Sequence, residues 1–99
     1  MFRFIECKIE RGGFSSERVF EISLAGKKIR GLSYVDFVCK EDGEPLGDEP
    51  PPGESIAGYV QCRVIRATTK DRVLIELPST ELVDVPISSL TAADELIAA

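Results

Sequence analysis

The sequence predicts an all-β protein, a small antiparallel β-barrel of five or six strands. Its 99 residues, 43% of them hydrophobic, match one ordinary domain with a single core, and we predict one domain over residues 1–99. Apolar and polar residues alternate with a period of two in several segments, which is typical of strands with one buried face. Short polar turns separate these segments, apart from one long acidic stretch at residues 41–54.

The first two strands are predicted over residues 2–10 and 18–24. In the first, Ile5, Cys7 and Ile9 lie on one face, while the residues between them are charged. Residues 11–16 contain two glycines and two serines, which favour a turn. The second strand is rich in β-branched and large apolar residues.

The third strand follows a two-residue turn, Ala25-Gly26, which predicts a tight hairpin. Gly31 within this strand indicates a bulge or bend of the kind that curls a sheet. Residues 34–39 are apolar without clear periodicity, and we interpret them as a short extended segment rather than an irregular plug.

The longest strand is predicted over residues 56–67, where buried-type residues alternate with polar ones. A polar turn over 68–71 leads to a strand over 72–77, which Pro78 ends. A last short strand covers 83–85, before Pro86. Residues 91–99 are predicted to form a short helix with Thr91 as its N-cap, or a frayed tail.

The C-terminal third resembles the end of SH3-like barrels. Pro78 is followed by the strand Val83-Asp84-Val85-Pro86, which continues into Ile87-Ser88-Ser89-Leu90. In SH3-like barrels a last short strand follows a tight helical turn. The resemblance is one of element order and carries no family motif, and an OB-like barrel is the alternative topology.

Residues 41–54, called here the acidic loop, hold six acids and four prolines but no Lys or Arg. The remaining residues carry 12 bases and 11 acids, so the net charge of −5 is concentrated in this loop. Such a composition cannot bury enough apolar surface to join a core. We therefore expect a stiff loop that lies outside the barrel in water.

No enzymatic activity is predicted. The chain has no histidine, the side chain that exchanges protons at neutral pH without perturbation. Cys7, Cys39 and Cys62 lack the paired spacing of a zinc site and lie in apolar runs, so we expect buried, reduced thiols. The loop carboxylates match neither a walled catalytic pocket nor an EF-hand, and we predict no metal and no cofactor.

The predicted function is a non-enzymatic protein-interaction module with an unknown protein partner. Its surfaces would be an exposed phenylalanine in the first turn and the Pro-rich acidic loop, since polyproline segments bind aromatic grooves at low ordering cost. The predicted binding residues are Phe14, Glu44, Asp48, Glu49, Pro50, Pro51 and Pro52.

The alternative function is an RNA- or ribosome-associated barrel that binds through a basic face. Small barrels hold single-stranded RNA by stacking a base on an aromatic ring while cations neutralise phosphates. The predicted residues of that face are Tyr59, Arg63, Arg66, Lys70 and Arg72.

A second copy of the chain is a further predicted partner. Phe2 and Phe4 fall on the face opposite Ile5, so either the C-terminal helix or another subunit is expected to cover them, and free strand edges favour a homodimer. The first residues lack the apolar region of a secretory signal, and no segment is apolar for the length of a membrane span. We therefore expect a cytoplasmic protein without membrane contact.

Overall fold

The computed structural model describes residues 1–97, with Ile97 described by its backbone only. Within them, eight strands form one antiparallel sheet that curls into a half-barrel, and the predicted all-β, barrel-like fold is confirmed. The strands are β1 Phe2–Arg11, β2 Glu17–Leu24, β3 Lys27–Tyr34, β4 Val38–Lys40, β5 Ile56–Thr69, β6 Arg72–Glu76, β7 Leu82–Pro86 and β8 Leu90–Thr91. Single turns of 3-10 helix cover Val35–Phe37 and Ile87–Ser89, and the α-helix α1 covers Ala93–Ile97.

The strand order is β3-β2-β1-β5-β6-β7, with β4 beside β5 and β8 beside β1. The two central strands change neighbours along their length, which bends the sheet. β5 pairs with β4 at Gly58–Val60 and with β6 from Arg63 onward, where the register shifts between Val64 and Arg66. Such bulges increase local twist and help a sheet to curl.

The strand count exceeds the predicted five or six because β8 was not predicted and β4 overlaps only the end of the extended segment predicted over residues 34–39. Residues 34–39 end β3 at Tyr34, form a 3-10 turn and then enter the three-residue β4. β8 has only two residues, yet it follows a 3-10 turn and pairs with Phe4 and Ile5 of β1. Strands of this length exist only because a longer strand supplies their hydrogen-bond partners.

The core consists of the inward-facing residues that the alternation predicts. Ile9, Phe20, Val60, Ile75 and Val85 are fully buried, and the rest of the cluster comes from the same faces of the strands. Burying one such side chain contributes about 1.5–3 kcal/mol. The hydrophobic face of the sheet therefore accounts for most of the stability.

The acidic loop is not left wholly in water, and the expectation that it lies outside the core is wrong at two positions. Leu46 is 7% exposed and belongs to the core cluster, and Pro50 is fully buried. Proline has no N–H to satisfy, and the Pro50 carbonyl accepts a hydrogen bond from Arg11 Nε at 2.9 Å. Burial of this part of the loop therefore leaves no backbone group of Pro50 unpaired.

The short C-terminal helix begins at Ala93, and Thr91 is not its N-cap because Thr91 lies in β8. Glu95 instead accepts the Ala92 N–H at 3.1 Å, and Leu96 is buried against the acidic-loop turn at Gly43. Residues 98 and 99 of the predicted tail lie outside the described residues. No helix in the described part of the chain is long and apolar enough to cross a membrane.

The two ends of the sheet, β3 and β7, face each other across the opening of the half-barrel. Gly31 of β3 lies close to the turn that precedes β7, since a Cβ added to Gly31 would lie 2.8 Å from Ser79 Oγ. A groove of about 410 Å³ is lined by Ile29 of β3 and Val83 of β7. The sheet is thus open at both of its edge strands.

Candidate functional site

The β1–β2 turn presents Phe14, which is 73% exposed. The turn itself is well bonded: Gly12 N–H donates to the Glu17 carbonyl, and Gly13 N–H donates to Glu17 Oε1 at 2.7 Å. The Glu17 carboxylate therefore occupies a backbone donor that an external anion would need. What the turn offers to a partner is the phenyl ring.

A buried arginine at the start of β2 donates hydrogen bonds to the backbone of this turn. Arg18 is 2% exposed, and its Nη1 donates to the carbonyls of Ser15 and Glu17 at 2.8 and 2.9 Å. Its Nε is buried without a hydrogen-bond partner among the described residues. This role could not be predicted from the sequence, because an inward-facing arginine breaks the alternation of apolar and polar residues that otherwise identifies buried positions.

The predicted residues of the acidic loop do not form one exposed surface. Glu44, Asp48, Pro51 and Pro52 are exposed. Pro50 is buried and offers no surface to a partner, which corrects its assignment as a binding residue. Glu49 is half-buried, and its carboxylate lies 3.5 Å from Arg11 Nη2.

The predicted basic face is interrupted by acids. Arg63 lies 3.0 Å from Glu76 on β6, and Arg72 lies 3.1 Å from Asp84 on β7, in both cases between neighbouring strands. Such exposed pairs stabilise little, but they place a carboxylate beside each of the two guanidinium groups. For Arg66 and Lys70 no ion pair occurs within residues 1–97.

Tyr59, the proposed stacking ring of that face, is half-buried and lies opposite Glu6 in the register of β1 and β5. Burial, together with the nearby Glu6 and Glu41 carboxylates, raises the pKa of the Tyr59 hydroxyl. Two carboxylates thus lie near the Tyr59 hydroxyl, and they disfavour the binding of phosphate beside it.

The structure brings together a different set of apolar residues, called here the Phe37 surface, which are exposed except for the half-buried Pro78. It comprises Phe2, Leu32, Tyr34, Phe37 and Pro78. Two adjoining grooves of about 290 and 230 Å³ share Phe37 and Pro78 as lining residues. The rings of Tyr34 and Phe37 lie 6.4 Å apart at a tilt of 56°, and Tyr34 is 67% exposed.

Four separate elements build this surface: β1, the end of β3, the 3-10 turn after it and the turn after β6. The 3-10 turn is decisive because it turns Phe37 outward, where it is 39% exposed, before Val38 returns to the core. The sequence predicted a short extended segment over residues 34–39, which does not place Phe37 at the surface, and it indicated Phe2 only as an apolar residue outside the barrel. Contiguous exposed apolar side chains of this kind mark interaction sites.

The polar rim of the Phe37 surface is predominantly acidic. Glu17 lines one groove, the Arg63–Glu76 pair lines the other, and Asp36 is exposed beside Phe37. The rim thus carries three carboxylates and two guanidinium groups, since Arg3 Nη1 also donates to the Phe2 carbonyl at 2.9 Å. A positively charged partner fits this rim better than a negative one.

A third cavity, of about 350 Å³, lies on the other side of Phe37. Phe4 lines it together with Leu46 and with Ala93 and Leu96 of α1. Phe4 and the C-terminal helix thus border the same cavity, and Phe4 is half-buried, whereas Phe2 remains 57% exposed.

The three cysteines are free and buried. Burial is the largest cause that raises the pKa of Cys7 to about 12 and that of Cys62 to about 11, and it also raises the pKa of Cys39. Thiols held protonated in this way are weak nucleophiles. Among the described residues, no cluster of three or more Cys, Asp or Glu side chains is arranged to hold a metal ion.

No family model, no curated protein and no solved structure matches this chain.

Proposed function

We propose that the chain is a non-enzymatic protein-interaction module and that the Phe37 surface binds an extended segment of a protein partner. The observation that carries this proposal is that two grooves meet at Phe37 and Pro78, with the exposed rings of Phe2 and Tyr34 beside them. Aromatic side chains on a folded surface bury a large area with little loss of conformational entropy. They are therefore the residues from which peptide-binding grooves are built.

The partner segment would be apolar at the grooves and would carry Lys or Arg beside them. The acidic rim of Glu17, Asp36 and Glu76 supports this charge. The exposed acids of the loop, Glu44 and Asp48 among them, add a negative field that increases the association rate of a basic partner. In this proposal the loop attracts the partner, and the Phe37 surface holds it.

The module would be an SH3-like barrel of the cytoplasm without catalytic activity. The 3-10 turn Ile87–Ser89 followed by the short β8 that pairs with β1 supports the SH3-like assignment. Three buried thiols with raised pKa values support both a reducing compartment and the absence of a cysteine nucleophile. The RNA-binding alternative is less well supported, since Glu76 and Asp84 neutralise two of its arginines.

The proposal is tested by panning a random peptide display library against the chain and measuring the selected peptides by calorimetry. The informative variant is Phe37→Ala, and the control is Phe14→Ala, which removes a ring that is more exposed (73% against 39%) from the β1–β2 turn. We expect apolar peptides with Lys or Arg whose affinity falls at least tenfold in F37A and is unchanged in F14A. Loss in F14A alone would move the binding site to the first turn and contradict the proposal.

Retention on immobilised single-stranded RNA separates the alternative function. A steep loss of retention with salt would indicate phosphate contacts. We expect no retention at physiological salt, and retention abolished by Arg66→Glu together with Lys70→Glu would instead favour the RNA-binding barrel.

A further inference from the structure

β3 pairs with β2 along one edge, and its other edge has no neighbouring strand. β3 is eight residues long, contains no proline and ends the sheet. Within residues 1–97, its backbone makes no backbone hydrogen bond on this side. The other end of the sheet is better protected, because β7 has five residues, ends in Pro86 and has Asp84 bound to Arg72.

The β2–β3 turn determines which backbone groups point to that edge. Ala25 and Gly26 have φ values of 48° and 80°, as in a two-residue type I′ turn. The residues flanking such a turn, Leu24 and Lys27, exchange both backbone hydrogen bonds, and hydrogen-bonded pairs then alternate along the ladder. The odd-numbered residues from Lys27 onward thus direct their backbone groups toward β2. The 2.8 Å hydrogen bond from Val35 N–H to the Ser16 carbonyl continues this series. The N–H and C=O groups of residues 28, 30, 32 and 34 therefore face the free edge.

Symmetry restricts how two copies of this edge can pair. In an antiparallel pair, residues that lie opposite each other point to the same face of the sheet. When two copies of one strand pair about a twofold axis perpendicular to the sheet, one residue must therefore lie opposite the same residue of the other copy. An axis at Arg30 would oppose two arginines, which is destabilising. An axis at Gly31 instead places Arg30 opposite Leu32 and Lys28 opposite Tyr34.

The Gly31 register is favourable for the backbone groups and for the outward-facing side chains, while the inward face of Gly31 is covered by Ser79 of the same copy. The pairs 30–32 and 28–34 consist of residues whose backbone groups face the edge, so each pair can exchange two hydrogen bonds. The Tyr34 carbonyl would then accept a second bond besides the one from Ser33 Oγ at 2.8 Å. Every cation faces an uncharged side chain, and the exposed Tyr34 ring offers a cation–π contact to Lys28. Arg30 is already paired with Glu10 and Glu21 of its own copy, both at 3.0 Å, which reduces its charge at the interface.

We propose that the chain forms a twofold-symmetric homodimer in which the β3 strands of two copies pair antiparallel about Gly31, joining their two sheets into one. The pairing uses Leu32 and Tyr34, which also belong to the Phe37 surface, so the homodimer and the proposed peptide site share these two residues. It leaves Phe2, Phe37 and Pro78 outside the pairing.

The first experiment is disulfide cross-linking of the purified full chain under mild oxidation. The double variant Lys28→Cys with Tyr34→Cys places cysteines opposite each other in the Gly31 register, where paired Cα atoms lie about 5.5 Å apart and a disulfide forms without strain. The matched control, Lys28→Cys with Leu32→Cys, pairs only in the Arg30 register. All three side chains are exposed, so neither variant disturbs the core. We expect a covalent dimer from the 28/34 variant and none from the 28/32 variant.

A second experiment uses analytical ultracentrifugation to measure the dissociation constant of the dimer for two variants of opposite charge at Leu32. In the proposed dimer, Leu32 faces Arg30 of the other copy. We expect Leu32→Glu to dimerise at least tenfold more tightly than Leu32→Arg, with the same circular dichroism spectrum. A wild-type chain that is monomeric throughout the concentration series, cross-linking of the 28/32 variant instead, or equal dissociation constants for L32E and L32R would each overturn the proposal.

Discussion

Arg11 and Pro50 join the end of β1 to the middle of the acidic loop. Arg11 Nε donates to the Pro50 carbonyl at 2.9 Å, and Arg11 Nη2 lies 3.5 Å from the Glu49 carboxylate. One guanidinium group thus positions a segment 39 residues away in the sequence. The loop begins with the backbone bond from Lys40 N–H to the Glu44 carbonyl, is anchored at Leu46 and is held again at Pro50.

Removing the Arg11 side chain is expected to release the second half of the loop. Arg11→Ala loses one hydrogen bond and one partly exposed ion pair, for a loss of about 1 kcal/mol in the free energy of unfolding. Hydrogen exchange should accelerate over residues 47–54 and stay unchanged in the core strands. Arg66→Ala, an exposed arginine without an ion pair among the described residues, serves as the control, and equal exchange in both variants would argue against the anchoring role.

Leu46 is expected to behave as a core residue although it lies in an acidic loop. Leu46→Ala removes a buried side chain and should lower the free energy of unfolding by about 2–5 kcal/mol. Leu32→Ala truncates a leucine that is 52% exposed, and its effect should stay within about 0.5 kcal/mol. Urea denaturation of the two variants measures the difference, and a neutral L46A would mean that the loop does not pack on the barrel.

Gly58 is expected to tolerate no side chain. A Cβ at this position would collide with the Cys39 carbonyl and would lie 2.7 Å from Ile9 Cδ1. Gly58 is the position at which β4 pairs closely with β5. Gly58→Ala should therefore destabilise the fold by about 1–3 kcal/mol. At Gly47 an added Cβ meets no atom within 4 Å, so Gly47→Ala is the matched control. Thermal unfolding of both variants checks the prediction, and an equally stable G58A would contradict the close approach of the two strands.

The buried thiols are expected to make the fold sensitive to alkali. The pKa of Cys7 is raised from 9.0 to about 12, so the folded state retains a proton that the unfolded state loses. The contribution of the Cys7 thiol to the free energy of unfolding is therefore fully present below about pH 9, and it is lost as the pH rises toward 12. Stability of the wild type and of Cys7→Ala across this range tests the sign, since the variant should lose part of the pH dependence. A parallel decline in both proteins would exclude Cys7 as its cause.

Much of the strand pattern follows from residues that are near one another in the sequence. The alternation of Ile5, Cys7 and Ile9 predicts both β1 and its buried face, and Ala25-Gly26 predicts the hairpin that is observed. The short strands β4 and β8 do not follow in this way. They are defined by hydrogen bonds to Val60 and Ile5, which are distant in sequence.

The candidate site was far less predictable. Phe14 was assigned correctly to an exposed turn, because two adjoining glycines are a local signal. Pro50 was assigned to a solvated segment by composition. It is buried instead, and Arg11 of β1 donates a hydrogen bond to its carbonyl. The Phe37 surface had no signal, since its residues come from four elements and its central ring is turned outward by a 3-10 turn.

The sequence by itself determined the all-β class, the faces of the long strands and the location of the negative charge. These properties depend on side-chain periodicity and composition, which act over a few residues. Only the tertiary structure decided which part of the acidic loop is buried, which arginines are neutralised and which apolar residues meet at the surface. Those outcomes depend on strand register and on how far the sheet curls, and both are set by contacts between residues that the sequence keeps far apart.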